Sequence, residues 1–194
     1  MRIWDLGSNQ GFFTFAASFR AVGGEVIAFE PDPFLVSLLE SSIATGSHTG
    51  ASIDVLPLAI SDSLHISRFL VSGTDRTLNH LAEVKGNPRM GGIRESRPVM
   101  VVTLDWLCQQ LAPPDLIKID VEGAEAKVLS GGLKLLKDHR PTVIVEVAQE
   151  CAQSVSSLFA EAEYLMFDIK APQNGSFHIP AWNTLALPAE RAKM

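Results

Sequence analysis

The chain has 194 residues, 46% of them hydrophobic and 20% charged, with a formal net charge of -6. This composition supports one globular domain, spanning 1–194, with a substantial core, and it excludes the basic footprint that nucleic-acid phosphates require. Two cysteines, Cys108 and Cys151, cannot frame a disulfide scaffold, no apolar run approaches the roughly 18 residues of a membrane span, and Met1-Arg2 does not open a leader, so the expectation is a soluble cytoplasmic protein without membrane contact.

The first predicted element is a short strand around Ile3-Trp4 that ends in an acid at Asp5. A loop carrying Gly7 and Gly11 follows, and a helix opens at Phe12. Strand, glycine loop and helix together hold nucleotide-like cofactors, because glycines turn tightly and admit a ligand to the backbone while the helix presents free N–H groups. A dinucleotide fingerprint requires G-x-G-x-x-G, whereas Gly7 and Gly11 are four apart and Asn9 stands at the middle glycine. The fit to NAD is poor. A carboxylate at Asp5 repels pyrophosphate but suits a ligand bearing an ammonium and a sulfonium, and S-adenosylmethionine has both. DLGSNQG, residues 5–11, resembles the D-V-G-A-N-x-G loop of FkbM-like S-adenosylmethionine-dependent methyltransferases.

Phe12, Phe15, Ala16, Phe19 and Val22 recur at the one-face spacing of a helix closed by Gly23-Gly24, and this aromatic stripe reads as core. Val26 to Phe29 is a buried-strand run ending on Glu30. A carboxylate at a second strand tip can accept both ribose hydroxyls, or can simply be a solvated strand-end acid; the preceding loop favours ribose. AFEPDP resembles the family's F-E-P element, which adds Pro31 to the cofactor set. Asp32 and Pro33 suit the N-cap and first position of a second helix, with Leu35, Leu38 and Leu39 on its buried face.

Val55 to Ala59 reads as a third strand, and LAISD resembles the family's A-L-S-D segment. In that fold Ala59, Ile60 and Ser61 are adenine neighbours; an ordinary turn in which Asp62 bonds its own backbone explains them equally well. Leu64 to Val71 and Val99 to Leu104 alternate as strands that could pair at one sheet edge, with a helix opening at Asp105. The polar stretch between them carries Arg76, Asn79, His80, Arg89, Arg94 and Arg97, is long for a structureless connection, and is a candidate lid or substrate segment; for any one of these residues a solvated loop is the safer reading.

DLIKIDVEGAEAKVLSGG, residues 115–132, closely resembles the family's K-I-D-V-E-G-A-E signature. Leu116 to Ile119 reads as a central strand with Asp120 at its tip, and Lys118 and Asp120 share a face. A lysine there needs a partner, Asp120 or Glu146, because burying an unpaired ammonium is costly. Glu122 and Glu125 fall on the first turn of the next helix; Glu125 reads as compensation of the helix dipole, Asp120 and Glu122 as site residues. Thr142 to Val147, Leu165 to Ile169 and Asn183 to Leu187 supply the closing strands, with a helix around Val155 to Glu163. Phe177, His178 and Trp182 border the substrate cleft in this order of elements, although a lone histidine there reads first as structural.

The resemblance covers about residues 1 to 170. It implies an α/β class I methyltransferase (Rossmann-like) three-layer sandwich, with a mostly parallel seven-stranded sheet whose last strand is antiparallel, plus an extra strand pair at one edge. It implies S-adenosylmethionine as donor and O-methylation of an alcohol on a sugar or natural-product acceptor. The cofactor set is then Asp5, Gly7, Ser8, Asn9, Gly11, Glu30, Pro31, Ala59, Ile60, Ser61 and Asp120, with Asp120 or Glu122 as base and Lys118 orienting it. No His or Cys spacing calls for a metal. Family members usually carry a segment before the first strand, and this chain begins inside that strand; the expectation is a shortened chain, a protein whose loop at 72–98 supplies the lid, or a homo-oligomer in which a neighbour does so. A catalytically inactive binding module of the same fold is the alternative.

Overall fold

The structure, a computed structural model, describes residues 1–46, 50–84 and 91–192. In chain order the elements are β1 (Arg2–Leu6), α1 (Phe12–Arg20), β2 (Glu25–Phe29), α2 (Pro33–Thr45), β3 (Ser52–Leu56), β4 (Ala59–Ile60), β5 (His65–Ser72), β6 (His80–Leu81), β7 (Ile93–Val102), α3 (Leu104–Gln110), β8 (Leu116–Ile119), α4 (Glu125–Ser130), α5 (Leu133–His139), β9 (Thr142–Glu146), α6 (Ala152–Glu161), β10 (Tyr164–Asp168) and β11 (Asn183–Pro188).

Seven strands form the main sheet in the order β10-β11-β9-β8-β1-β2-β3. β1, β2, β3, β8 and β9 run parallel, and β11 is antiparallel to both neighbours. This is the expected doubly wound sheet. The parallel strands therefore end together on one edge, where ligands bind in open α/β sheets.

One face of the sheet sends Trp4, Leu6, Ile117, Ile119, Val143 and Val145 into the main core, together with residues of α3 to α6. Trp4 meets Phe29 edge to face, with ring centroids 5.7 Å apart. On the other face Ile3 and Val26 pack with Ala17, Ala21 and Ala51. α1 is amphipathic as expected, but most of the stripe read as core points outward, Phe15 alone of its aromatic residues being half-buried. Phe12, Phe19 and Val22 are 83%, 72% and 74% exposed, and Thr14, Ala17 and Ser18 face the sheet instead. Small side chains let α1 lie close to its strands, and Thr14 and Ser18 each find an internal hydrogen-bond partner. On α2, Leu35 and Leu39 are buried as expected while Leu38 is exposed. Asp32 caps α2, its Oδ1 accepting the Phe34 N–H at 3.0 Å. Glu30 and Asp32 alternate with Pro31 and Pro33.

Two expectations for the middle of the chain need correction. The third strand is Ser52–Leu56, not 55–59: Pro57 has no N–H to continue the ladder, and Ala59–Ile60 turns away to pair parallel with β7. The expected strand pair β5–β7 does form, antiparallel, but within a separate four-stranded sheet, β4-β7-β5-β6, not as an addition to the main sheet. The stretch read as a long loop contributes a short 3-10 turn at Arg76–Leu78, β6 and the first half of β7. Arg89 lies outside the described residues.

Candidate functional site

The glycine loop closes on β2. The N–H groups of Gly7 and Ser8 both donate to the Phe29 carbonyl, at 2.9 and 3.1 Å, and the Gly11 N–H donates to Ser8 O at 2.8 Å. Gly7 has φ +74°, and a Cβ there would stand 1.9 Å from the Asp120 carbonyl oxygen, so only glycine lets the loop cross the tip of β8. Gly11, at φ +85°, is pinned likewise between Leu39 and Phe15. The fourth N–H, from Asn9, donates to Glu30 Oε2 at 2.8 Å, and the Asp32 N–H donates to Oε1 at 2.8 Å. Glu30 therefore organises the loop from the tip of β2. Its carboxyl is raised to about 7, by burial first and by the Asp32 and Asp5 charges, against the two backbone donors that pull the other way.

Beside this loop opens a cavity of about 340 Å³, within the range of small-molecule sites. Of the residues singled out in the sequence, Gly7, Ser8, Asn9, Glu30, Pro31, Ala59, Ile60, Lys118, Asp120 and Glu122 are on its wall. Asp5, Gly11 and Ser61 are not on it. Asp5 is fully buried: Oδ2 accepts the Thr14 hydroxyl at 2.5 Å and Oδ1 lies 3.7 Å from Lys118 Nζ. Burial holds its carboxyl above the usual range, with Lys118 and Thr14 opposing. The geometry makes Asp5 an anchor for α1 and for Lys118.

The second sheet roofs the cavity. Arg76, Asn79 and His80 reach its wall, and the first two are fastened to the main sheet at Asp32 Oδ2, by an Arg76 ion pair and by an Asn79 amide bond of 3.0 Å. Asp32 thus caps α2 and holds the roof at once, and the Arg76 guanidinium lies 4.4 Å from the Phe34 ring centroid. These partners are 44 and 47 residues apart, a separation no local spacing rule reveals. Arg94 and Arg97 are exposed on β7, and Arg97 is paired with Glu95 at 2.6 Å.

At the opposite wall Lys118 Nζ sits 3.0 Å from Asp120 Oδ2 and 5.8 Å from the Phe13 ring centroid. Asp120 is thus the lysine's direct partner. Glu122 is not on a helix, because α4 begins at Glu125; it stands in the preceding turn at φ +50°, a left-handed backbone uncommon for a residue with a side chain. Its carboxyl is pushed up to about 7, by burial first and then by Asp120, Glu125, Glu146 and Asp75. Glu125 is buried and its Oε1 accepts the Gly123 N–H at 2.9 Å, which gives it a local structural task. Phe177, His178 and Trp182 do not line the cavity.

Two features fit a ligand of the S-adenosylmethionine kind. Ser8 Oγ, on a side chain of a cavity-wall residue only 5% exposed, has no hydrogen-bond partner among the described residues, and such a group calls for one. The wall is also acidic, with Glu30, Asp120 and Glu122 against Lys118 and Arg76, which matches a ligand of net positive charge.

Known proteins resemble this chain in sequence and in fold. The family model described as the methyltransferase FkbM domain matches residues 5–171. The hexuronic acid methyltransferase AglP of Haloferax volcanii is 30% identical over 166 residues, covering 83% of this chain and 62% of AglP. The crystal structure of methyltransferase FkbM from Methylobacillus flagellatus KT superposes with a TM-score of 0.55 at 13% identity, over 96% of this chain and 43% of that one. The precorrin-6y C5,15-methyltransferase of Geobacter metallireducens GS-15 gives 0.51 at 10% identity, over 96% and 78%. The chain thus spans about three fifths of its curated relative, and over the stretch that builds the glycine loop, the Glu30 strand tip and the Lys118–Glu122 edge it belongs to the FkbM methyltransferase family.

Proposed function

We propose that the protein is an S-adenosylmethionine-dependent O-methyltransferase acting on a saccharide hydroxyl. The observation that carries this reading is a half-buried carboxylate, Glu122, on the same cavity wall as the glycine loop and Glu30. The relative named for a hexuronic acid supports a sugar as the acceptor class.

In this reading Ser8 and the Gly7–Asn9 turn hold the methionine end, Glu30 takes the ribose hydroxyls, and Ala59 and Ile60 flank the adenine. When bound, the cofactor supplies a methyl group already activated by its sulfonium. What remains for the chain is to place the acceptor oxygen and remove its proton, and placement alone can lower a barrier by roughly 7 to 11 kcal/mol. Asp120, fixed by its pairing with Lys118, accepts a hydrogen bond from a neighbouring hydroxyl of the acceptor and so aims the reacting one. Glu122 takes the proton; with its carboxyl near 7 it is both available and basic at neutral pH.

Calorimetric titration with S-adenosylhomocysteine and NADH tests the donor assignment. Binding of the former alone, weakened at least tenfold by Glu30→Ala, is expected. NADH binding, or S-adenosylhomocysteine binding indifferent to Glu30→Ala, refutes it.

A further inference from the structure

The ligand edge continues beyond the cavity wall. One step past the Ile119–Val145 register pair stand Asp120 at the end of β8 and Glu146 at the end of β9. Glu146 in turn pairs with Asn183, the first residue of β11. Trp182 precedes Asn183 and its backbone is fixed, the Val147 N–H donating to its carbonyl at 2.8 Å. Its indole lies beside the Glu146 carboxylate, yet the side chain is 63% exposed. An exposed indole beside a carboxylate has a flat apolar surface to offer a ligand. Neighbouring strands lie about 4.8 Å apart, which puts β11 about 10 Å from β8. One six-membered sugar ring with its substituents bridges that gap between Trp182 and the Asp120–Glu122 pair.

Charge decides what kind of ring. Lys118 and Arg76, the lysine and arginine on the described cavity wall, already face carboxylates, Lys118 at Asp120 and Asp5 and Arg76 at Asp32. An acidic sugar would bring its charge beside Asp120, Glu122 and Glu146 with no lysine or arginine of the described cavity wall left to meet it. A neutral ring brings hydroxyl donors, which is what carboxylates accept. A hydroxyl acceptor also needs a base to take its proton, whereas a carboxylate acceptor does not, and Glu122 is placed as one.

We propose that Trp182 and Glu146 form the acceptor platform, holding a neutral pyranose against the indole face with its hydroxyls donated to Glu146, and that the platform rejects hexuronates. This rests on the saccharide O-methyltransferase reading and names the substrate class of that site.

Saturation-transfer NMR in the presence of S-adenosylhomocysteine tests it, with a panel of neutral methyl hexopyranosides and the matching hexuronates as probes. The wild type should give transfer to at least one neutral sugar and at least tenfold weaker binding of its uronate. Trp182→Ala should abolish the signal and Trp182→Phe retain it; Glu146→Gln should weaken the neutral sugar and narrow its advantage over the uronate. S-adenosylhomocysteine affinity should stay within twofold in all three variants. A uronate bound as well as its neutral partner, a signal untouched by Trp182→Ala, or no sugar bound while S-adenosylhomocysteine binds, overturns the platform and leaves the donor assignment standing. Loss of S-adenosylhomocysteine binding in the wild type instead overturns the methyltransferase reading itself.

Discussion

Replacing Glu122 with Gln should make the protein more stable and less active, and both effects should depend on pH in a defined direction. In the unfolded chain Glu122 ionises near 4.5; in the folded protein it ionises near 7. As pH rises through that window the unfolded state loses its proton first, so the folded state becomes progressively less stable relative to it. A tenfold change in an ionisation constant is worth about 1.4 kcal/mol; the interval would give a little over 3 kcal/mol for a fully buried group, and partial exposure reduces this to roughly 1–2 kcal/mol. Gln carries no charge, so Glu122→Gln should gain that amount at pH 8 and nothing at pH 4, a rise in Tm of roughly 2–8 °C for a domain of this size. Glu30 and Glu146 are raised as well, so the diagnostic is the difference between variant and wild type across pH, not either curve alone. Scanning calorimetry at pH 4, 6 and 8 reads it directly. In methyl transfer to a neutral hexoside, the wild-type rate should fall about tenfold for each step of one in pH below 7, following the ionised fraction, and the variant should lose most activity at every pH. A Tm difference that is constant with pH, or an activity limb that sits near 4.5, refutes the reasoning.

Asp32→Ala removes the cap of α2 and leaves Arg76 and Asn79 without their shared acceptor; a loss of about 2–4 kcal/mol in urea unfolding is expected from the cap and the orphaned donors together, with faster amide exchange in β6. Gly7→Ala puts a methyl group onto the Asp120 carbonyl at a positive φ, so unfolding should cost at least about 1–2 kcal/mol less and S-adenosylhomocysteine binding should drop in the same titrations. Phe19→Ser should change stability by under about 0.5 kcal/mol, because its ring is 72% exposed; a loss of several kcal/mol would show that the residue is covered in solution.

The parts legible in the sequence were those that local chemistry writes. The glycine turn, the acid at Glu30, the Asp32-Pro33 cap and the Lys118–Asp120 alternation all follow from adjacent residues, and all appear, whereas the first strand runs one residue past Asp5 to Leu6 and keeps that acid buried inside it. Periodicity revealed α1 but assigned the wrong face, because size competes with hydrophobicity: Thr14, Ala17 and Ser18 permit a close approach that Phe12 and Phe19 would block. The boundary of β3 was hidden because Val55 to Ala59 is apolar throughout apart from Pro57, and it took Pro57 to hand Ala59 and Ile60 to another sheet. Contacts such as Arg76 to Asp32 have no sequence signal, since they depend on how two sheets meet. Glu122 was found for its neighbourhood, but its left-handed backbone was not foreseeable from a VEG stretch that reads as the start of a helix.

The alternation Glu30-Pro31-Asp32-Pro33 has a thermodynamic consequence for any ligand of the cavity. Each proline fixes its own φ and restricts the residue before it to extended backbone. Both carboxylates therefore sit on main chain with few alternative conformations, one bracing the glycine turn and the other fastening the roof. The entropy of ordering that corner is lost when the chain folds, not when a ligand arrives. Binding at this end of the cavity should accordingly show a small entropic penalty, and replacing both prolines by alanine should weaken affinity chiefly through the entropy change, with the same atoms still in contact.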